Sequence, residues 1–207
     1  MGLARGVARL FSVLFHPLFI PTLGIFILFR LDTYLSFSIV PEARRLIILM
    51  IFINTAVAPV LSILVLKYTG HVRDYLLRER NERILPLLIA SLMFFLTYYF
   101  LRQLSLPGLL YFYLMGATLL VLISLMVSFL WKISIHMVSL GGFTAFMIIT
   151  SLLLNTDLIL LITASFLVSG ITGASRLYLG AHTPAQVYAG YILGLGSMLL
   201  LLFYLNI

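Results

Sequence analysis

The stretch Leu109–Leu130, LLYFYLMGATLLVLISLMVSFL, decides the fold because it is long, apolar and free of charged residues. A helix needs about 20 predominantly apolar residues to cross the hydrocarbon core of a bilayer. The rest of the chain has the same character, since 63% of its 207 residues are hydrophobic and only 9% are charged. A soluble domain is about 45–50% apolar and about 25% charged. The composition therefore predicts an integral membrane protein and excludes a water-soluble domain or a disordered chain.

Six other apolar stretches flank this one along the chain. They are Leu10–Phe29, Leu46–Leu66, Ile84–Leu101, Met137–Leu154, Leu158–Ala174 and Pro184–Leu205. The runs are continuous rather than alternating, which favours helices over the strands of a barrel, and Pro17 and Pro21 predict a kink near the start of the first run. We therefore expect an all-α, polytopic bundle of six to seven transmembrane helices. It would form a single membrane domain over residues 1–207, with two helices in residues 1–68 and the remainder in residues 69–207, and it would lie in the inner (plasma) membrane of the cell.

Basic residues outnumber acidic ones by 13 to 6, which gives a formal net charge of +7. With seven crossings, the loops Lys67–Arg83, Trp131–His136 and Ser175–Thr183 fall on one face of the membrane, and each holds a histidine and a basic residue. Such residues are typical of contacts with anionic lipid headgroups or of a phosphate-binding site, and nucleic acid is not expected as a partner. Because both explanations use the same residues, the charge distribution does not decide which side of the membrane this face occupies.

Each of the three loops contains a polar cluster that a purely apolar bundle does not require. The clusters are HVRDYLLRERNER at residues 71–83, WKISIH at 131–136 and SRLYLGAHTPAQ at 175–186. The first is also typical of an amphipathic helix lying on lipid, and Lys132 beside Trp131 is typical of residues at the membrane interface. In the third cluster, Thr183 and Pro184 predict a helix start that Gln186 closes as a capping box.

These residue types suit phosphoryl transfer. His182 precedes a predicted helix N-terminus, where backbone N–H groups and the helix dipole favour an anion. Guanidinium groups bind phosphate oxygens, one neutral histidine can attack phosphorus, and a protonated histidine can supply the proton for the leaving group. Zinc bound by His136 and His182 is a weaker alternative, because the nearby carboxylates in residues 74–82 all have arginine neighbours. No metal or other cofactor is therefore expected, and the absence of cysteine excludes thiolate chemistry.

The order and spacing of the clusters resemble the type 2 phosphatidic acid phosphatase superfamily, whose pattern is Lys-x6-Arg-Pro, then Pro-Ser-Gly-His, then Ser-Arg-x5-His-x3-Asp. Ser175, Arg176 and His182 match the third motif in every fixed position except the last, where Gln186 stands in place of aspartate. The second motif corresponds to ISIH at residues 133–136, which keeps the serine and the histidine.

The first motif is represented more loosely than the other two. Arg73 and Arg80 keep its spacing, with Asn81 in place of proline, and Arg83 followed by Pro86 gives another alignment. The resemblance therefore extends from Arg73 to the end of the third motif, in the order of the family, and leaves out the two N-terminal helices.

The resemblance implies a metal-independent membrane phosphatase that hydrolyses a lipid phosphate or diphosphate of the phosphatidic acid, phosphatidylglycerophosphate or undecaprenyl diphosphate class. It implies that His182 is the nucleophile, that His136 is the general acid and that Arg176 is a catalytic phosphate ligand. The other expected substrate-binding residues are Arg73, Arg80, Arg83, Lys132, Ser134, Ser175 and Gln186. The expected partners are the phosphorylated lipid and the surrounding membrane lipids.

Gln186 is the departure with the largest consequence. Its amide accepts a hydrogen bond but lacks the charge with which the aspartate of the family stabilises a cationic histidine, and losing such a charge costs roughly 2–4 kcal/mol. Two alternatives follow: a relative that binds or moves a phosphorylated lipid without hydrolysing it, and a structural membrane protein whose loops only contact headgroups. Gly190-x3-Gly194 in the last apolar stretch is typical of close helix packing.

Overall fold

A computed structural model describes residues 2–73, 79 and 81–205, and every regular element in these residues is helical. The helices are α1 (Gly2–Leu14), α2 (Ile20–Leu28), α3 (Tyr34–Phe37), α4 (Pro41–Phe52), α5 (Ala58–Tyr68), α6 (Ile84–Arg102), α7 (Gly108–Ser128), α8 (Ile135–Leu153), α9 (Ile159–Tyr178) and α10 (Pro184–Leu205). A π-helical turn, Ile53–Val57, joins α4 to α5, and a 3-10 turn, Asn81–Arg83, precedes α6.

Six helical segments in the described residues are long and apolar enough to cross a bilayer. They are Pro41–Tyr68, Asn81–Arg102, Gly108–Ser128, Ile135–Leu153, Ile159–Tyr178 and Pro184–Tyr204. Apolar helices of this length satisfy all their internal backbone hydrogen bonds within lipid. The chain is therefore an integral membrane protein that is helical throughout the regular elements of its described residues, as its composition predicts.

The first apolar stretch departs from the sequence prediction. Instead of one kinked helix, it forms two short ones, because α1 ends at Leu14 and α2 begins only at Ile20. Pro17 lies in the gap and has no N–H to continue a helix, so the chain passes through turns in which the Phe19 N–H donates to the carbonyl of His16 at 2.9 Å. Neither helix has spanning length, and His16 lies outside the six membrane-length segments.

Helix α1 is amphipathic and contacts α9 along one face. Ala8 and Ser12, one turn apart, are buried on this face, whereas Leu3 and Leu10 are exposed on another. Arg9 is exposed as well. A short helix with exposed leucines and arginines is typical of an element that lies at the membrane interface.

Contacts within the chain divide it into two compact units. The first consists of residues 2–20 and 132–205 and holds α1, α8, α9 and α10. The second consists of the described residues from 21 to 131 and holds α2 to α7, with α6 packed against α7. The second and third sequence motifs both belong to the first unit.

Helices α8 and α10 pack closely in the first unit because glycines remove the side chains between them. A Cβ added at Gly190 would lie 2.8 Å from the carbonyl oxygen of Ser134, and one at Gly194 would overlap the carbonyl oxygen of Val138. Gly141 on α8 faces the backbone of Tyr191 with equally little space. The close packing predicted from Gly190-x3-Gly194 is confirmed, and it fixes the two helices side by side and parallel.

Candidate functional site

The third motif spans the connection between α9 and α10. Arg176 lies in the last turn of α9, where the negative end of the helix dipole favours a cation. Helix α10 begins at Pro184, and the backbone N–H of Thr183 donates to Oε1 of Gln186 at 3.2 Å. The helix start predicted from Thr183, Pro184 and Gln186 is therefore confirmed.

The amide of Gln186 also orients His182. Its Oε1 atom lies 3.1 Å from Nδ1 of His182, and the same oxygen accepts the Thr183 N–H. A backbone N–H can only donate, so the amide oxygen and not the NH₂ group must face both partners. Nδ1 of His182 therefore carries the ring proton, and in the neutral ring the lone pair lies on Nε2.

The second motif joins the third through the backbone. The N–H of Ser134 donates to the carbonyl of Gln186 at 3.3 Å. Ser134 is the N-cap residue of α8, and His136 lies in the first turn of that helix. The N-termini of α8 and α10 therefore lie together at the end of the unit where α9 finishes with Arg176, and two helix N-termini at one place favour an anion.

His136 is held by the N-terminal helix. Its Nε2 atom lies 3.0 Å from the carbonyl oxygen of Ser12 in α1, and since a carbonyl only accepts, Nε2 carries a proton. The ring of His16 meets that of His136 edge-on, with the ring centroids 5.1 Å apart and an interplanar angle of 82°. Histidine and arginine side chains in this group lie within electrostatic range of one another, because His136 interacts with Arg176, His16 and His182.

His16 and Ser12 are the site residues that the motifs miss. Both lie in a segment outside the family resemblance, so spacing alone gives no reason to assign them to the site. The signal in the sequence is an ionisable residue inside an apolar stretch, since such residues are costly near membrane depth and are commonly functional. Pro17 next to His16 marks the break that lets this ring turn towards α8.

Several buried polar atoms around these histidines lack a hydrogen-bond partner within the described part of the chain. They include Nε of Arg176 and the hydroxyl oxygens of Ser12, Ser134 and Thr172. Thr172 lies one turn before Arg176 on α9, and neither Ser134 nor Thr172 has measurable solvent exposure. Leaving a buried polar group unpaired costs about 1–3 kcal/mol. Each of these atoms has a hydrogen-bonding capacity that its neighbours in the described residues do not use.

Two other predicted residues of this unit have different surroundings. The Ser175 hydroxyl donates to the carbonyl of Ile171 at 2.8 Å, so its proton is used within α9. Lys132 is half-buried in the segment that precedes α8. Within the described residues, no group of three histidine or carboxylate side chains is arranged to hold a metal ion.

The arginines of the first motif belong to the second unit or lie outside the described residues. Arg83 is buried, with 6% of its surface exposed, and it lies at the start of α6. The backbone N–H of Arg73 donates to Oε1 of Glu82 at 3.0 Å. Arg80 lies outside the described residues. The predicted roles of these three arginines in phosphate binding stay predictions.

The candidate site thus consists of three histidines, one arginine and a set of buried hydroxyl groups within the first unit. No family model, no curated protein and no solved structure matches the chain. Its function is therefore inferred from its own residues.

Proposed function

We propose that the protein is a membrane phosphatase that hydrolyses a lipid phosphate or diphosphate through a phosphohistidine intermediate on His182. The observation that carries the proposal is the pairing of His182 with Gln186, which leaves the lone pair on Nε2 of His182. A second histidine, His136, belongs to the same group of side chains. So does Arg176, whose Nε has no hydrogen-bond partner among the described residues. This is the set of a nucleophile, a proton donor and a phosphate ligand that the chemistry needs.

In the first step, Nε2 of His182 attacks phosphorus and the bond from phosphorus to the leaving oxygen breaks. The Nε2–H bond of His136 is already used by the Ser12 carbonyl, so a doubly protonated His136 would give the leaving oxygen its Nδ1 proton. Arg176 and the Ser134 hydroxyl would donate to the non-bridging oxygens, where negative charge develops.

In the second step, water attacks the phosphohistidine and releases inorganic phosphate. His136, now neutral, takes a proton from this water at Nδ1, and His182 leaves with its electron pair restored on Nε2. The cycle consumes one water, releases one phosphate and returns both imidazoles to their starting protonation states.

The second candidate is a relative that binds or moves a phosphorylated lipid without hydrolysing it. The observation in its favour is the neutral amide at Gln186, which accepts from the ring of His182 but supplies no charge. Such a protein would hold the phosphate with Arg176 and the buried hydroxyls in the same way, and it would lack turnover that depends on His182.

The test is the release of inorganic phosphate from phosphatidic acid, phosphatidylglycerophosphate and undecaprenyl diphosphate by the purified protein in lipid nanodiscs with EDTA. His182→Asn should reduce the release to background, because the nucleophile is lost. The matched control is His71→Asn, since His71 is exposed in the second unit and its Nδ1 lies 2.9 Å from the neighbouring Thr69 hydroxyl.

A ³²P-labelled lipid phosphate should also label the wild-type protein with an acid-labile, base-stable bond that His182→Asn abolishes. If wild type and His182→Asn release phosphate equally slowly, the phosphatase proposal is wrong. Binding of phosphatidic acid that survives His182→Asn but weakens in Arg176→Ala, with no turnover, would then establish the binding protein instead.

A further inference from the structure

His16 has no role in the proposed reaction, yet it belongs to the same group of side chains. It lies in the break between α1 and α2, and its ring touches that of His136 edge-on. It follows Ser12 by four residues. The Ser12 hydroxyl has no hydrogen-bond partner among the described residues, and it is on the helix whose backbone holds His136. Arg176 lies close enough to interact with His16 electrostatically.

The protonation of the His16 ring follows from its backbone contact. The N–H of Leu18 donates to Nδ1 of His16 at 3.4 Å, so Nδ1 holds the lone pair and Nε2 carries the proton. Burial, and then the positive charge of Arg176, lower the pKa of His16 from its ordinary value near 6.5 to about 4. The ring is therefore neutral near pH 7. The contact at Nδ1 leaves the Nε2–H bond as the ring's hydrogen-bond donor.

We propose that His16 is a further substrate-binding residue, which donates its Nε2–H to a non-bridging oxygen of the bound phosphoryl group. The inference deepens the proposed function and rests on it, since both place a phosphoryl group beside Arg176 and His136. A neutral donor suits this position because it gives the bound oxygen a hydrogen bond while Arg176 supplies the positive charge.

Two substitutions separate hydrogen bonding from ring packing. His16→Gln keeps an N–H donor at about the position of Nε2 but removes the ring that packs on His136. His16→Phe keeps a ring for the edge-on contact but removes the donor. The same pair at the exposed His71, His71→Gln and His71→Phe, is the matched control.

The first arm measures the Kd of inorganic phosphate by calorimetry, with each variant in phosphatidylcholine nanodiscs. His16→Phe should weaken the Kd by about 10-fold or more, because a hydrogen bond to a charged oxygen is lost, whereas His16→Gln should stay within about 3-fold of wild type. The second arm measures the KM for phosphatidic acid in nanodiscs. A parallel rise in His16→Phe assigns the donor to the lipid phosphate, and an effect on phosphate alone assigns it to the released product.

The inference is wrong if His16→Phe binds phosphate like wild type, or if His16→Gln binds as weakly as His16→Phe, since either result assigns the ring a packing role. It is also wrong if wild type does not bind phosphate, or if the His71 pair shows the same loss. The calorimetric arm needs no turnover. A protein that binds phosphate through His16 but does not hydrolyse lipid phosphates would therefore contradict the proposed phosphatase and leave this inference standing.

Discussion

Replacing Gln186 with glutamate should raise the rate of phosphate release. Glutamate has the same length and shape as glutamine, so its carboxylate can keep both contacts of Oε1, at 3.1 Å to Nδ1 of His182 and 3.2 Å to the Thr183 N–H. The substitution adds a negative charge without moving the histidine. In the proposed reaction, His182 needs a negative charge nearby in the transition state, because its ring would become cationic as the bond to phosphorus forms.

The size of the effect follows from the hydrogen bond that changes. A hydrogen bond between neutral groups contributes about 0.5–1.5 kcal/mol and one to a charged group about 1.5–3 kcal/mol, so the carboxylate should gain about 1–2 kcal/mol in the transition state. Since about 1.4 kcal/mol corresponds to a factor of ten in rate, kcat should rise about 5- to 30-fold. Gln186 is half-buried, and solvent therefore screens part of the added charge.

The assay is phosphate release from phosphatidic acid at saturating substrate, with wild type, Gln186→Glu and Gln186→Ala compared in the same nanodiscs. Gln186→Ala removes both contacts and should be slower than wild type, because Nδ1 of His182 no longer has an acceptor to fix its proton. A Gln186→Glu protein that is no faster than wild type, at equal folding and with His182-dependent turnover, would refute the idea that the missing charge limits the proposed reaction.

Two further predictions concern stability. Gly194→Ala should destabilise the protein by about 1–3 kcal/mol, because its methyl group meets the Val138 carbonyl. The control is Gly196→Ala, which has open space around its Cβ and should change stability by less than about 0.5 kcal/mol. Equal Tm values for the two variants would contradict the packing argument. The pKa of His16 is about 4 in the folded protein, below its ordinary value of 6.5. As the pH falls, the unfolded chain therefore binds this proton before the folded protein does. The stability due to the neutral ring is present above pH 6.5 and is lost as the pH falls towards 4. Wild type should therefore lose about 2–3 kcal/mol more than His16→Phe between about pH 7 and pH 4. Tm curves of the two variants that stay parallel over this range would argue against it.

The helical class and the start of α10 are predictable from sequence because each depends on local chemistry. Long apolar runs can satisfy their backbone only as helices in lipid, and a capping box is fixed by residues three positions apart, as in Thr183 and Gln186. The close packing of α10 against another helix is predictable from Gly190 and Gly194, since small residues four apart form a groove on one helix. Which helix fills that groove depends on tertiary contacts.

The first apolar stretch shows where sequence reasoning reaches its limit. Its length indicates a spanning helix, and Pro17 and Pro21 indicate a kink. The sequence pattern cannot show that the two halves of this stretch separate completely. A proline kink and a full break differ only in whether the turns around the proline regain helical hydrogen bonds. The consequence is large, since the break brings His16 and Ser12 to His136. Residues 124 positions apart along the chain, such as Ser12 and His136, leave no periodic signal of their contact.

The amide at Gln186 separates two roles that an aspartate would combine. Orienting the histidine requires only an acceptor at Nδ1, and the Thr183 N–H guarantees that the amide presents its oxygen there. Stabilising the cationic ring requires a charge, which the amide lacks. For a catalytic histidine, the wrong tautomer is the costlier loss. In serine proteases, replacing the aspartate that orients the histidine with asparagine lowers kcat about 10⁴-fold. Because glutamine at this position avoids that loss through the helix cap, its presence is compatible with a slow enzyme and does not by itself indicate an inactive one.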